Sequence, residues 1–529
     1  MNYLPGRFSL MSAVLLAAVT AASGQPAGKS PEQLGRVSFA NSCEGSVQTA
    51  FERGVALLHS FWWEEGRRAF LDVLDRDPSC AIATWGIAAI DIGNPFTTGP
   101  NPAQAKQAQE AIARGRGIGA KTERERRYIE AVAAYYDRLA ERPHRVRLKS
   151  LADAFEAMAK NYPDDDETQI FLALYLAGTQ DPADKTYART LKAAGILETQ
   201  FAKHPDHPGV AHYLIHSYDY PPIAEKGLSA AKRYADIAPS APHALHMPSH
   251  IFTRVGAWQE SIATNQRSAE VSRLEGQGDQ ELHATDYIVY AALQLARDEE
   301  VLHLIQRMKH MGPTETMAGP FAMSASRARY ALERGAWREA AELASDESKI
   351  PYVRAMPVFA RALGAARSGA PEAAEKDLQE LAQLVDALKE AKDDYWASEV
   401  EVQRLGAAAW IDYARGNREK ALELMREAVG REDKSEKSVV TPGRLIPARE
   451  LLGDMLLESG RPAEALSEYE TSLIRDPGRF RSLFGAGKAA AQAGNPGKAR
   501  YFFARLVNMV GPAGMRPELA SARDYLIGH

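Results

Sequence analysis

Two pairs of histidines recur at one fixed interval. His212 and His246 lie 34 residues apart, and so do His216 and His250. The same interval separates Pro205 from Pro239, Gly453 from Gly487, Ala465 from Ala499 and Tyr469 from Phe503. A period of this size marks a chain built from one supersecondary unit used many times. Such a unit cannot bury its apolar face alone and must stack on its neighbours. From Val47 onward apolar residues return every three or four positions, and Gly and Pro fall between these runs. Strand signals are nearly absent. The sequence therefore predicts an all-α fold, a curved solenoid of stacked helix–turn–helix repeats, with about 10 to 12 helix pairs. A length of 529 residues agrees, being too great for one compact core.

The clearest units are LLGDMLLESGRPAEALSEYETSLIRDP, with Gly453 and the closing Pro477, and FGAGKAAAQAGNPGKARYFFARLV after it. These resemble the tetratricopeptide repeat family. The resemblance implies that small residues let the two helices of a unit approach closely. It also implies that the proline ends the second helix, because it cannot continue the hydrogen-bond ladder. In that family the exposed face of each first helix lines a concave groove for ligands. The whole pattern also resembles a group of exported bacterial tetratricopeptide proteins with HYLIHSYD and HALHMPSHIF blocks, which implies a site without naming what it binds. On this frame residues 1–24 read as a signal peptide. N-terminal repeats follow over 25–160, central His-rich repeats over 161–310 and C-terminal repeats over 311–529.

Seven of the 13 histidines fall between His204 and His250, far more than an even spread would give. His212 and His216, four apart, share one helix face. His243, His246 and His250 form a second row, and packing the two rows side by side would bring the imidazoles together. Neutral imidazole suits zinc, copper, nickel or iron. The sequence thus proposes His212, His216, His243, His246 and His250 as ligands of a divalent transition metal, zinc first among them. An inserted loop is expected from Ser268 to Gln280. Beyond it the next repeat offers His283 and Asp286 as further ligands or supporting groups, together with Asp219 and Glu281. Pro248 predicts a kink or a local π-bulge between His246 and His250. His204 and His207, beside prolines, read as solvated turn residues.

Two other readings stay open. The cluster could line a groove for a peptide, protein or small-molecule ligand, with Tyr213, Tyr218 and Tyr290 as its aromatic wall. It could also be structural, hydrogen-bonded between repeats. HYLIH has the spacing of a zinc-protease helix but carries Tyr213 where that motif needs its glutamate. The chain is accordingly read as a binding protein with no assigned catalytic residue, a metal-dependent hydrolase being the alternative.

Arg7, the apolar run Phe8–Thr20 and the small residues Ala21–Gly24 have the order of a secretory signal. A periplasmic or secreted location follows, with no membrane span after cleavage. In such a compartment Cys43 and Cys80, 37 residues apart, are expected to form a disulfide at matching ends of two adjacent first helices. A net charge of −5 gives no basic field for nucleic acid. Phe61, Trp62 and Trp63 read as packing at a helix–helix turn, and Asp164–Glu167 as acids capping a helix.

Overall fold

A computed structural model of the chain describes residues 1, 32–312, 314, 316–345, 348–512 and 514–528. The signal-peptide expectation lies outside these residues. Residues Gln33–His529 form one compact unit, all-helical with no strand among the described residues. Helices follow one another as hairpins, beginning with Gln48–His59 and Trp63–Arg76. Pro208–Tyr218 pairs with Leu228–Ile237, Gly278–Gln294 with Asp298–Met308, Ala448–Glu458 with Pro462–Arg475, and Phe480–Gln492 with Pro496–Val510.

One turn conformation closes many of these hairpins. Gly256, Gly335, Gly416, Gly460 and Gly494 all adopt positive φ two residues before the second helix begins. Glycine takes that left-handed backbone without steric cost. In the first hairpin the same slot holds Phe61, at φ 52°. For a bulky side chain this is a true outlier, costing of order 1–2 kcal/mol.

Local residues set several helix boundaries. Residues 91–101 are a loop, and Pro102–Ile118 is helical with Asn101 as its cap. Thr122 caps the next helix by accepting from the Glu125 amide. The Glu125 carboxylate accepts from the Ser42 amide and hydroxyl, each at 2.6 Å. The loop expected over Ser268–Gln280 is mostly helix. Trp258–Leu274 simply runs longer, and only a short turn precedes Gly278. No helix breaker interrupts Ser268–Leu274, so the helix continues to Leu274 and turns at Gly276.

Cys43 and Cys80 are joined, with Cα atoms 4.8 Å apart, and they precede the first helices of the first two hairpins. Closing a loop of this size stabilises by about 2–4 kcal/mol. Reduction should therefore lower the urea midpoint of the purified chain. Identical melts with and without reductant would reject that contribution.

The C-terminal repeats close back onto the central ones. The Trp258 indole donates to the Gly478 carbonyl at 2.9 Å, and the Phe480 amide to Gln294 at 3.0 Å. Arg479 is fully buried there, donating to Glu450, Glu333 and Tyr290. The connection 433–447 runs as a strap across this junction. Its Lys437 reaches Asp219 at 3.2 Å, its Thr441 carbonyl accepts from Tyr287 at 3.2 Å, and its Gly443 carbonyl accepts from Arg329 at 2.8 Å.

Candidate metal centre

The imidazoles occupy successive first helices. His212 and His216 stand on Pro208–Tyr218, His243 and His246 on Pro242–His246, His250 on Pro248–Arg254 and His283 on Gly278–Gln294. Pro248 breaks the middle helix without a π-bulge. Met247 keeps helical angles (φ −54°, ψ −37°) and bridges two short segments. The third unit is in register as well. His283 and Tyr287 follow His246 and His250 by 37 residues each, the period having lengthened by three.

Beneath the cluster lies a satisfied polar bridge. The two oxygens of Glu167 accept from His59 Nε2 and His207 Nε2, each at 2.9 Å. Tyr213 donates to His59 Nδ1 at 2.9 Å, and the Val210 amide to His207 Nδ1 at 3.3 Å. Each of the four ring nitrogens thereby has a hydrogen-bond partner. Burial raises the Glu167 carboxyl, but the two imidazoles outweigh it and the group is held well below its usual range. Burial lowers His59 despite Glu167. Gly209 makes room for this bridge, since a Cβ there would lie 2.3 Å from His59 Nδ1. His207 is thus buried rather than solvated, while His204, hydrogen-bonded to Asp166 at 2.7 Å, remains near the surface.

The remaining imidazoles form two triads. In the first, ligand nitrogens of His212, His216 and His243 lie within 4.8 Å of one another. His212 Nδ1 donates to the His59 carbonyl at 2.6 Å, which fixes its tautomer and leaves Nε2 as a lone pair. His212 Nε2, both nitrogens of His216 and His243 Nε2 are buried without a hydrogen-bond partner. The walls are aromatic. Phe61 packs on His212 and His243 with centroids 4.4 and 5.4 Å away, and Phe96 stacks on His216 at 4.1 Å. The strained Phe61 backbone thus puts its ring against the triad, as strain at functional positions often does.

In the second triad, ligand nitrogens of His246, His250 and His283 also lie within 4.8 Å of one another. His246 Nδ1 donates to Asn265 Oδ1 at 2.7 Å, and His250 Nδ1 to Asp219 at 2.9 Å. Asp219 also takes Arg254 at 2.8 Å and Lys437 at 3.2 Å. Tyr287 stands 3.3 Å from His250 Nε2. Burial lowers all six imidazoles, His212 and His283 to about 3, so the cluster is neutral at physiological pH. Burial also brings Lys437 down to about 8.

The structure therefore gathers all five proposed ligands and adds His283, while Asp219 backs His250 from behind. Other candidates lie elsewhere. Asp286 is tied to Arg329 and Ser326. Glu281 lines a separate cleft with Arg273 and Arg307. Tyr213 and Tyr290 are not groove walls, for both are buried and hydrogen-bonded inside the fold, to His59 and Arg479. Tyr287, four residues after His283, is the tyrosine at the site. Its i, i+4 spacing matches the two histidine pairs and was the available signal. Phe61, Phe96, Glu167 and His59 carried none, because they come from distant units.

Fold and site together define the class: an all-α repeat protein with buried imidazoles where its central units meet. Residues 450–514 match the family model described as Tetratricopeptide repeat. Those C-terminal units are tetratricopeptide repeats, and repeats of this kind serve as interaction scaffolds. Similar solved structures include a tetratricopeptide repeat protein from Parabacteroides merdae, with 13% identity, 55% of this chain and 98% of that one covered, and a TM-score of 0.28. Another, Naa15/Naa10 bound to HypK-THB, shows 13% identity over 90% of this chain and 70% of that one, with a TM-score of 0.24. No curated protein matches the chain. Among the described residues no helix is long and apolar enough to cross a membrane.

Proposed function

We propose that this chain is an exported tetratricopeptide repeat protein that binds a transition metal ion, zinc foremost, through His212, His216 and His243. The observation that carries the reading is the set of unpartnered nitrogens. Four imidazole nitrogens of these residues are buried with nothing to bond. A buried polar group left unsatisfied costs about 1–3 kcal/mol, and a shared cation removes that cost where ring packing alone would not. The donor set is all nitrogen, which suits zinc or copper over magnesium or calcium. Three imidazoles leave a fourth position for water or a ligand presented along the scaffold. The order of charged, apolar and small residues at the N-terminus and the Cys43–Cys80 bridge support an oxidising location outside the cytoplasm.

The test is metal content of untagged protein exchanged into zinc and then desalted. Zinc should remain bound, and His216→Ala should release at least one ion per chain with its circular dichroism unchanged. Wild-type protein that emerges free of zinc and of copper after the same treatment rejects the reading.

A further inference from the structure

We infer that His246, His250 and His283 hold a second ion beside the first, so that the six imidazoles form a two-ion centre. This rests on the metal-binding reading above but on separate observations. The first is a conflict between lone pairs. Asn265 Nδ2 donates to the Ser261 carbonyl at 2.7 Å, which turns its Oδ1 toward His246. His246 Nδ1 faces that oxygen and so carries its proton. His250 Nδ1 faces the Asp219 carboxylate and carries its proton likewise. Both Nε2 atoms are then acceptors. The hydroxyl beside them, Tyr287 at 3.3 Å from His250, gives its proton to the Thr441 carbonyl. Yet the two nitrogens lie 3.0 Å apart. Two acceptors at that distance repel unless a cation joins them. Two nitrogens sharing a tetrahedral ion at the usual zinc–nitrogen distance sit about 3.3 Å apart, so the observed spacing is close to that of co-ligands.

The second observation is the support behind three of the rings. Metal-bound histidines commonly give their other N–H to a carboxylate, amide or backbone oxygen. Here the supports are the His59 carbonyl for His212, Asn265 for His246 and Asp219 for His250. The third is continuity. The two triads adjoin, with ring centroids 5.9 Å apart for His216 and His250 and for His243 and His246. Each triad has one half-buried member, His243 or His283, through which an ion can enter.

A shared proton between His246 and His250 is the competing account. Asp219 favours an imidazolium there, but Arg254 and Lys437 already neutralise that carboxylate, and the pair is buried. The ions expected are those that prefer imidazole alone, zinc or copper.

Stoichiometry separates the accounts. Full-length protein saturated with zinc should hold two ions per chain, and His283→Ala should hold one. Asn265→Ala keeps every imidazole but frees the His246 ring, and it should weaken one of the two ions by about 10- to 100-fold while leaving the other unchanged. One ion per wild-type chain, unaffected by His283→Ala, overturns the second site and leaves the first standing. No ion at all overturns both.

Discussion

Acidification from pH 7 to pH 5 should destabilise the metal-free protein by several kcal/mol. Burial holds His212 and His283 at about 3 and His144 at about 4 in the folded chain. An unfolded histidine titrates near 6.5. As pH falls, the unfolded chain takes up these protons first, so stability is full above about 6.5 and declines toward the folded values. A fully buried imidazole such as His212 loses about 2 kcal/mol by pH 5. The half-buried His283 and His144 lose less, being partly screened by solvent. Glu167 acts in the same direction at lower pH, because its carboxyl is held below its ordinary value. Calorimetry in chelator-containing buffer across this range measures the effect. A melting temperature equal at pH 7 and pH 5 would show that the imidazoles are not kept neutral by burial.

Arg479→Met should be among the most damaging single substitutions. The guanidinium lies between Glu450, at 2.6 and 2.9 Å, and Glu333, at 2.7 Å, and all three side chains are buried. Removing it leaves two carboxylates facing each other without their main counter-charge. Breaking a buried pair in this way costs about 3–5 kcal/mol. Urea unfolding measures the loss, and Arg479→Met/Glu450→Gln should recover part of it by deleting one of the stranded charges. A double variant no better than the single one would place the damage in packing instead of charge.

Much of this protein was legible in its residues. The 34-residue interval places the His212/His216 pair beside the His246/His250 pair, because equivalent positions in stacked units become neighbours. The interval also explains what went astray. The helix Trp258–Leu274 runs on where a loop is expected, so beside His283, which the pattern already offers, the third unit brings Tyr287 to the site rather than Asp286 or Tyr290. Local periodicity says nothing of partners from remote units. Glu167 looked like a helix-capping acid until the fold set it between His59 and His207. Phe61 looked like ordinary packing, and only its left-handed backbone sets it apart. Lys437 lies in a segment with no periodic signal, yet it reaches Asp219 behind His250.

That last contact has a consequence in time. An array of repeats can ordinarily form from one end while the other is still being made. Here the carboxylate supporting His250 receives a counter-charge from a lysine in the final quarter of the chain. The imidazole centre is therefore complete only once Lys437, 154 residues after His283 (437 − 283), has been synthesised. Ion uptake would be a late step, and a chain cut short before Lys437 would present its histidines without the brace that orients them.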